Sequence, residues 1–278
     1  MLDHYMTGRL IDLWFAEDIG ACDLTVQSMI DADAKAKFRM NAREPQTVAG
    51  LDVGAAVFRH YDPRVEVTVT AKDGDKAVKG TSLMVVSGPA RSLLTAERTA
   101  LNIVQHMSGI ATETARFVAA IAGTRAKLID TRKTTPGLRM LEKHAVICGG
   151  GANHRLGLDG GVMIKDNHIA VAGSIKAAVA RARAAIPSLI KIEVECDRLD
   201  QVPECLEAGA DVIMLDNMSL DDMRSAVKLV NGRVPLEASG GVRYETVRGI
   251  AETGVDYIST SRITQAAPAV DIGLDDAS

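Results

Sequence analysis

Arg132, Lys133 and Arg139 fall within ten residues, "DTRKTTPGLR" (130–139), of a chain whose net charge is −4. An arginine grips a carboxylate or phosphate with two parallel hydrogen bonds, and a lysine adds a compact point charge. Such a focus in an acidic protein points to an anionic ligand. A second glycine-dense stretch, "CGGGANHRLGLDGGVMIKDNH" (148–168), adds His154, Arg155 and Lys165. No regular element tolerates that many glycines, so His154 and Arg155 sit on a loop. His154 is there either as a site residue or as an ordinary loop histidine.

These residues matter because of where they fall. "KLID" (127–130), "VMIK" (162–165), "IKIEVE" (190–195), "VIMLD" (212–216), "VPLEAS" (234–239) and "VDYIST" (255–260) are short apolar runs, most of them continuous. Continuous runs suit strands buried on both faces of a parallel sheet. Polar residues follow at their far ends: Asp130, Thr131, Arg132 and Lys133, then Lys165, Glu195 and Asp216. After them come Ser239, Gly240 and Gly241, and last Ser259, Thr260 and Ser261. One lysine or aspartate after a strand is an ordinary solvated residue. A succession of them fits a β/α barrel, whose strands present their carboxyl ends on one face. Cations there suit carboxylates or phosphates, and Glu195 with Asp216 offers hard oxygen ligands for Mg²⁺ shared with a polyphosphate. "ASGG" ahead of "VRYETV" is either a plain turn or a set of backbone N–H donors for a phosphate.

Helical segments separate the strands: 174–186 with Ser174 as cap, 220–230 with Ser219 as cap, and 244–253 ending before Gly254. Six strands fall short of the eight of a full barrel. A partial or irregular barrel is the first reading, and an open doubly wound sheet the second. The first hundred residues have another texture. Segments 35–43 and 65–88 alternate like strands, the latter around the turn dipeptide Asp73-Gly74. Residues 51–61 read as a helix, and 92–123 as one or two long ones. This predicts a smaller N-terminal α/β domain over 1–108 and a barrel over 109–266, with 267–278 packing back on the first.

Composition narrows the function. Hydrophobic residues are 47 % and charged ones 24 %, a globular mix. With pI near 5.9, no polybasic run and 3 % aromatics, a nucleic-acid surface is not expected. Asp3, Asp12, Glu17 and Asp18 interrupt the N-terminus too early for a signal peptide or membrane span, which predicts a cytoplasmic protein. Cys22, Cys148, Cys196 and Cys205 read as free thiols. His4, His60, His106 and His144 show no zinc spacing.

The segment "DTRKTTPGLRMLEKHAVICGGGANHRLGLDGGVMIKDNHI" resembles the signature of the quinolinate phosphoribosyltransferases. The resemblance continues through "IEVEC", "IMLDNMS", "LEASGGV" and "GVDYIS", and upstream through "EDIGACDLT", "DGDKAVKGT" and "LLTAERTALNIVQHMSGIAT". It implies an incomplete TIM-like barrel with an N-terminal α/β sandwich domain, in a homodimer or hexamer. It implies transfer of phosphoribose from phosphoribosyl pyrophosphate to quinolinate, with Mg²⁺, release of CO₂ and formation of nicotinate mononucleotide.

By the same resemblance Arg132, His154, Arg155 and Lys165 hold the quinolinate carboxylates, with Thr131 nearby. Lys133 approaches the ribose–pyrophosphate side. Glu195 and Asp216 bind the ribose hydroxyls and Mg²⁺. Ser239, Gly240, Gly241, Thr260 and Ser261 hold the 5′-phosphate. Arg98 reaches into the neighbouring subunit's site; on its own it reads as a surface residue of a helix. Ser261 and Gln265 depart from the glycine and histidine that many relatives carry. The competing readings are a related transferase acting on nicotinate and a non-catalytic barrel that binds phosphorylated ligands.

Overall fold

The computed structural model of the protein describes residues 4–277. Met1 to Asp3 and Ser278, which the expected domain ranges include, lie outside the described residues, as does the side chain of His4. In chain order the first half forms α1 (His4–Asp18), α2 (Leu24–Met29), β1 (Lys35–Ala42), β2 (Gln46–Thr47) and α3 (Leu51–Tyr61). It continues with β3 (Glu66–Val69), β4 (Lys76–Ala77), β5 (Ser82–Pro89) and α4 (Ala90–Ala120). The second half holds β6 (Lys127–Ile129), α5 (Arg139–Cys148), β7 (Val162–Ile164), α6 (Asp166–Ala172), α7 (Ile175–Ala185) and β8 (Ile192–Cys196). It ends with α8 (Gln201–Ala208), β9 (Val212–Asp216), α9 (Leu220–Val230), β10 (Leu236–Ser239), α10 (Tyr244–Ala251), β11 (Tyr257–Ser259), α11 (Arg262–Gln265) and β12 (Ile272–Asp276).

The chain divides into two compact units. One holds Met1–Ala115, Thr135–Gly150 and Ala267–Ser278; the other holds Arg116–Thr134 and Gly151–Ala266. The sequence reading put Thr135–Gly150 in the barrel and ended the first domain at residue 108. In the structure α5 belongs with the N-terminal residues, and the boundary falls inside α4.

The first unit is an antiparallel sheet in the order β12-β1-β5-β3, with helices against it. Met40, Leu83, Met84 and Val86 of the sheet are buried, as are Val53, Val57 and Phe58 of α3. Burying each such side chain contributes about 1.5–3 kcal/mol. The alternation over 65–88 resolves into three strands. β3 pairs with β5, and β4 pairs with β2. In the turn between β3 and β4 the Asp73 carboxylate accepts the N–H groups of Gly50 and Leu51 and so caps the start of α3.

The second unit carries six parallel strands in the order β6-β11-β10-β9-β8-β7. All six were expected, and Ser174 and Ser219 cap α7 and α9 as expected. The ring is not closed between β6 and β7. There the segment from Ala152 runs alongside β6: Ala152 N–H donates to Leu128 O, and Asp130 N–H donates to Ala152 O. Leu128, Ile164, Ile192, Val194, Ile213, Leu215, Leu236, Ala238 and Ile258 are buried, one alternating set of the six strands. The other set faces the barrel interior.

Candidate active site

That inward set is unusually polar. Strand residues two apart share a face, so Met163 and Lys165, Glu193 and Glu195, Met214 and Asp216, and Glu237 and Ser239 form successive layers. At the carboxyl ends they surround a cavity of ≈ 520 Å³. Thr131, Arg132, Lys133, His154, Arg155 and Lys165 line it, and so do Glu195, Asp216, Ser239, Gly240 and Gly241. Eleven of the fourteen residues expected from the sequence therefore meet in one place. Thr260 and Ser261 are not among the lining, and Arg98 lies in the first unit, lining a hollow with Asp18, Cys22 and Asp23. Thr260 is buried, and its Oγ1 accepts the N–H of Arg262. Ser261 begins α11 with φ −84°, a conformation open to any residue, so glycine is not required there.

The cationic side is only partly neutralised, since Lys165 and His154 have carboxylate partners. Arg155 is half-buried; burial and then the neighbouring Arg132 pull its pKa down. Arg132 Nε is buried with no hydrogen-bond partner. Both arginines line the cavity, and an anion there would offset their like charges. Lys165 Nζ lies 2.6 Å from Glu195 Oε2, and Asn217 Nδ2 donates to Asp216 Oδ2 at 2.9 Å. The turn carrying Lys133 is pinned at both ends. Its N–H donates to Thr131 Oγ1, and its carbonyl accepts from Thr264 Oγ1 at 2.9 Å.

Gly240 and Gly241 have φ of +84° and +59°. A side chain on Gly240 would strike Asn217, so this turn is held open for glycine alone. Glu195 and Asp216, on adjacent strands, supply only carboxylate oxygens, the donor chemistry of a hard divalent cation that also keeps water and phosphate ligands.

Below this layer lies a floor that the sequence reading missed. His154 Nε2 sits 2.9 Å from Glu193 Oε2 and 3.4 Å from Glu237 Oε2. Glu193 and Glu237 are 7 % and 1 % exposed. Burial pushes the Glu237 carboxyl up. Burial works against a charged His154, but hydrogen bonds to the two glutamates outweigh it and raise its pKa to about 9. The main-chain N–H of His154 donates to Asp130 Oδ1, and Asn153 Nδ2 to Asp130 Oδ2, so Asp130 anchors the loop and does not offer its charge to a ligand. Asn217, Met163, Met214 and Ser259 also line the cavity. The glutamates had a signal: each is an acid inside an apolar run, two residues before an expected site residue.

Among the described residues two groups bring potential metal-ligating atoms together: His154 with Glu193 and Glu237, and Asp73 with His144 and Cys148. Neither was visible as a spacing. All four cysteines are free, although Cys196 and Cys205 approach to 3.2 Å.

Two family descriptions match the chain. "Quinolinate phosphoribosyl transferase, C-terminal domain" covers residues 110–275, and its N-terminal counterpart covers 23–108. The probable nicotinate-nucleotide pyrophosphorylase [carboxylating] of Synechocystis is 45 % identical over 94 % of this chain and 89 % of its own length. That of Bacillus subtilis is 43 % identical over 99 % and 94 %. The solved nicotinate-nucleotide pyrophosphorylase of Francisella tularensis superposes with TM-score 0.96 at 39 % identity, covering 100 % of this chain and 98 % of that one.

Proposed function

The chain belongs to the quinolinate phosphoribosyltransferase family, and from that premise we propose that the barrel cavity is where quinolinate meets phosphoribosyl pyrophosphate. The protein transfers the phosphoribosyl group to quinolinate with decarboxylation, giving nicotinate mononucleotide, pyrophosphate and CO₂ in NAD biosynthesis. One observation carries the choice of cavity: Arg132 and Arg155 bring like charges together, and Arg132 Nε is buried and unpaired. A pyridine with two carboxylates answers that arrangement.

In this reading Arg132, Arg155 and Lys165 take the carboxylates, with Thr131 and His154 behind them. Lys133 faces the ribose–pyrophosphate side. Glu195 and Asp216 hold the ribose hydroxyls and Mg²⁺. The Ser239–Gly240–Gly241 turn takes the 5′-phosphate on backbone N–H groups. Thr260 and Ser261 support that end of the barrel through main-chain bonds.

Pyrophosphate leaves the anomeric carbon through an oxocarbenium-like transition state, and the quinolinate ring nitrogen forms the new bond. The ring, now positive, draws in the electron pair of the C2–carboxylate bond; CO₂ leaves and a proton takes its place. The chain's residues orient two anions that would otherwise repel, so positioning is their main contribution. Mg²⁺, when bound, neutralises charge on the departing pyrophosphate. No covalent intermediate with the protein is needed. The working unit is a homodimer or an assembly of dimers in the cytoplasm, with Arg98 serving the neighbouring subunit. Among the described residues no helix is long and apolar enough to cross a membrane.

The test measures pyrophosphate and CO₂ with quinolinate or nicotinate as acceptor, with and without Mg²⁺. Equal release of both products, dependent on quinolinate and Mg²⁺, is expected. Pyrophosphate release with nicotinate at a similar rate would assign the pocket to the mono-acid instead.

A further inference from the structure

The barrel floor carries two acids where apolar side chains would fold better. Burying a carboxylate costs several kcal/mol unless it is fully hydrogen-bonded. Glu193 and Glu237 each leave one oxygen, Oε1, buried and without a partner. Stability does not explain them, and the expected contacts with substrate do not use them. Both converge on one atom, Nε2 of His154.

The other ring nitrogen is occupied too. The backbone N–H of Arg155 donates to His154 Nδ1 at 2.7 Å. A nitrogen that accepts a hydrogen bond carries no proton, so in this geometry the one ring proton sits on Nε2, between the two glutamates; the carboxylates favour a second proton, and the Arg155 N–H on Nδ1 opposes it. His154 therefore has no ring nitrogen left for a quinolinate carboxylate. What it does hold is the backbone of Arg155, whose guanidinium then donates to Gly161 O at 2.8 Å and abuts Met163 on the cavity wall.

We propose that Glu193 and Glu237 are positioning residues: they pin His154, and His154 sets the placement of Arg155 against quinolinate. This rests on the reading of the cavity as the quinolinate site. His154 acts through Arg155.

Four measurements on the full-length enzyme test it. The double variant Glu193→Gln/Glu237→Gln should raise the KM for quinolinate about tenfold and leave that for phosphoribosyl pyrophosphate within about twofold, because only the diacid end is misplaced. An unchanged quinolinate KM, or an equal rise in both with a lower melting temperature, overturns the proposal. His154→Gln keeps a donor for the glutamates and an acceptor for Arg155, so it should outperform His154→Leu in quinolinate KM; equal impairment of the two overturns it. Arg155→Ala removes the guanidinium whatever the floor does. An unchanged quinolinate KM there defeats the site reading itself, and the proposal with it. Metal analysis of the purified protein should find no ion that His154→Leu removes. One equivalent of a divalent ion lost in that variant would give the trio a different role and overturn the proposal.

Discussion

Arg132 is the residue whose environment asks most plainly for a ligand, since its buried Nε has no partner and Arg155 lies close by. A charge-assisted hydrogen bond contributes about 1.5–3 kcal/mol, so Arg132→Ala should weaken quinolinate use by roughly ten- to a hundredfold in kcat/KM. Steady-state kinetics with each substrate varied in turn will show whether the loss falls on quinolinate. Wild-type kinetics in this variant would remove the main support for the site. At this scale the sequence was legible where a charge ended an apolar run, because strand ends of a parallel barrel are exposed to one face. It was not legible for Glu193 and Glu237. An acid inside a short strand reads as a solvated alternate residue until the barrel curvature shows that the alternate face is the interior. His154 was legible as a residue of the cavity, but its two glutamate partners were not, because they lie 39 and 83 positions away in sequence.

The elements that carry these residues hold two further tests. Gly109 lies inside α4, where alanine ordinarily favours the helix by about 0.5–1 kcal/mol. Here a Cβ would strike the carbonyl of Pro268, a backbone atom that cannot swing away. Gly109→Ala should therefore lower stability by about 1–3 kcal/mol, read as a drop in melting temperature. A rise would mean that the segment before β12 yields freely. Glu142 of α5 is fully buried. Burial opposes its ionisation, but hydrogen bonds from His106 and Thr135 prevail and hold its carboxyl below the usual range. A carboxyl depressed in the folded state contributes stability above its unfolded pKa of about 4.3, and that contribution is lost as pH falls through the folded value. The gap in melting temperature between wild type and Glu142→Gln should thus narrow as pH drops below about 4.5. A constant gap from pH 7 to 3.5 would show that ionisation of Glu142 does not stabilise the fold.

Element type was readable almost throughout, since α3, α7, α9 and the six barrel strands follow apolar period and caps. Element membership was not. Nothing in the pattern of "RMLEKHAVIC" tells α5 from a barrel helix, because its ties run from Glu142 to His106 and from His144 to Asp73. Asp73-Gly74 is a turn as expected, and the Asp73 carboxylate also takes the N–H groups at the start of α3, a long-range tie that the dipeptide does not announce.

At the scale of the whole molecule the open question is whether one chain makes a complete site. Arg98 projects from α4 in the first unit and has no place in the lining of the barrel cavity. If it serves a neighbouring subunit, two inactive proteins can repair each other. Arg98→Ala keeps an intact barrel, and Lys165→Ala keeps an intact Arg98. Random reassociation of equal amounts places about half of the chains in mixed dimers. Each mixed dimer then has one site with both residues and one with neither, so about a quarter of wild-type activity should return. Were Arg98 to serve its own chain, every site in the mixture would lack one residue, and mixing would restore nothing. The measurement is pyrophosphate release after subunit exchange, with each variant alone as the baseline and exchange verified by differently tagged chains. Recovery near a quarter also means that one neighbour's Arg98 is enough for a site, because a site needing Arg98 from two neighbouring chains would recover only about an eighth.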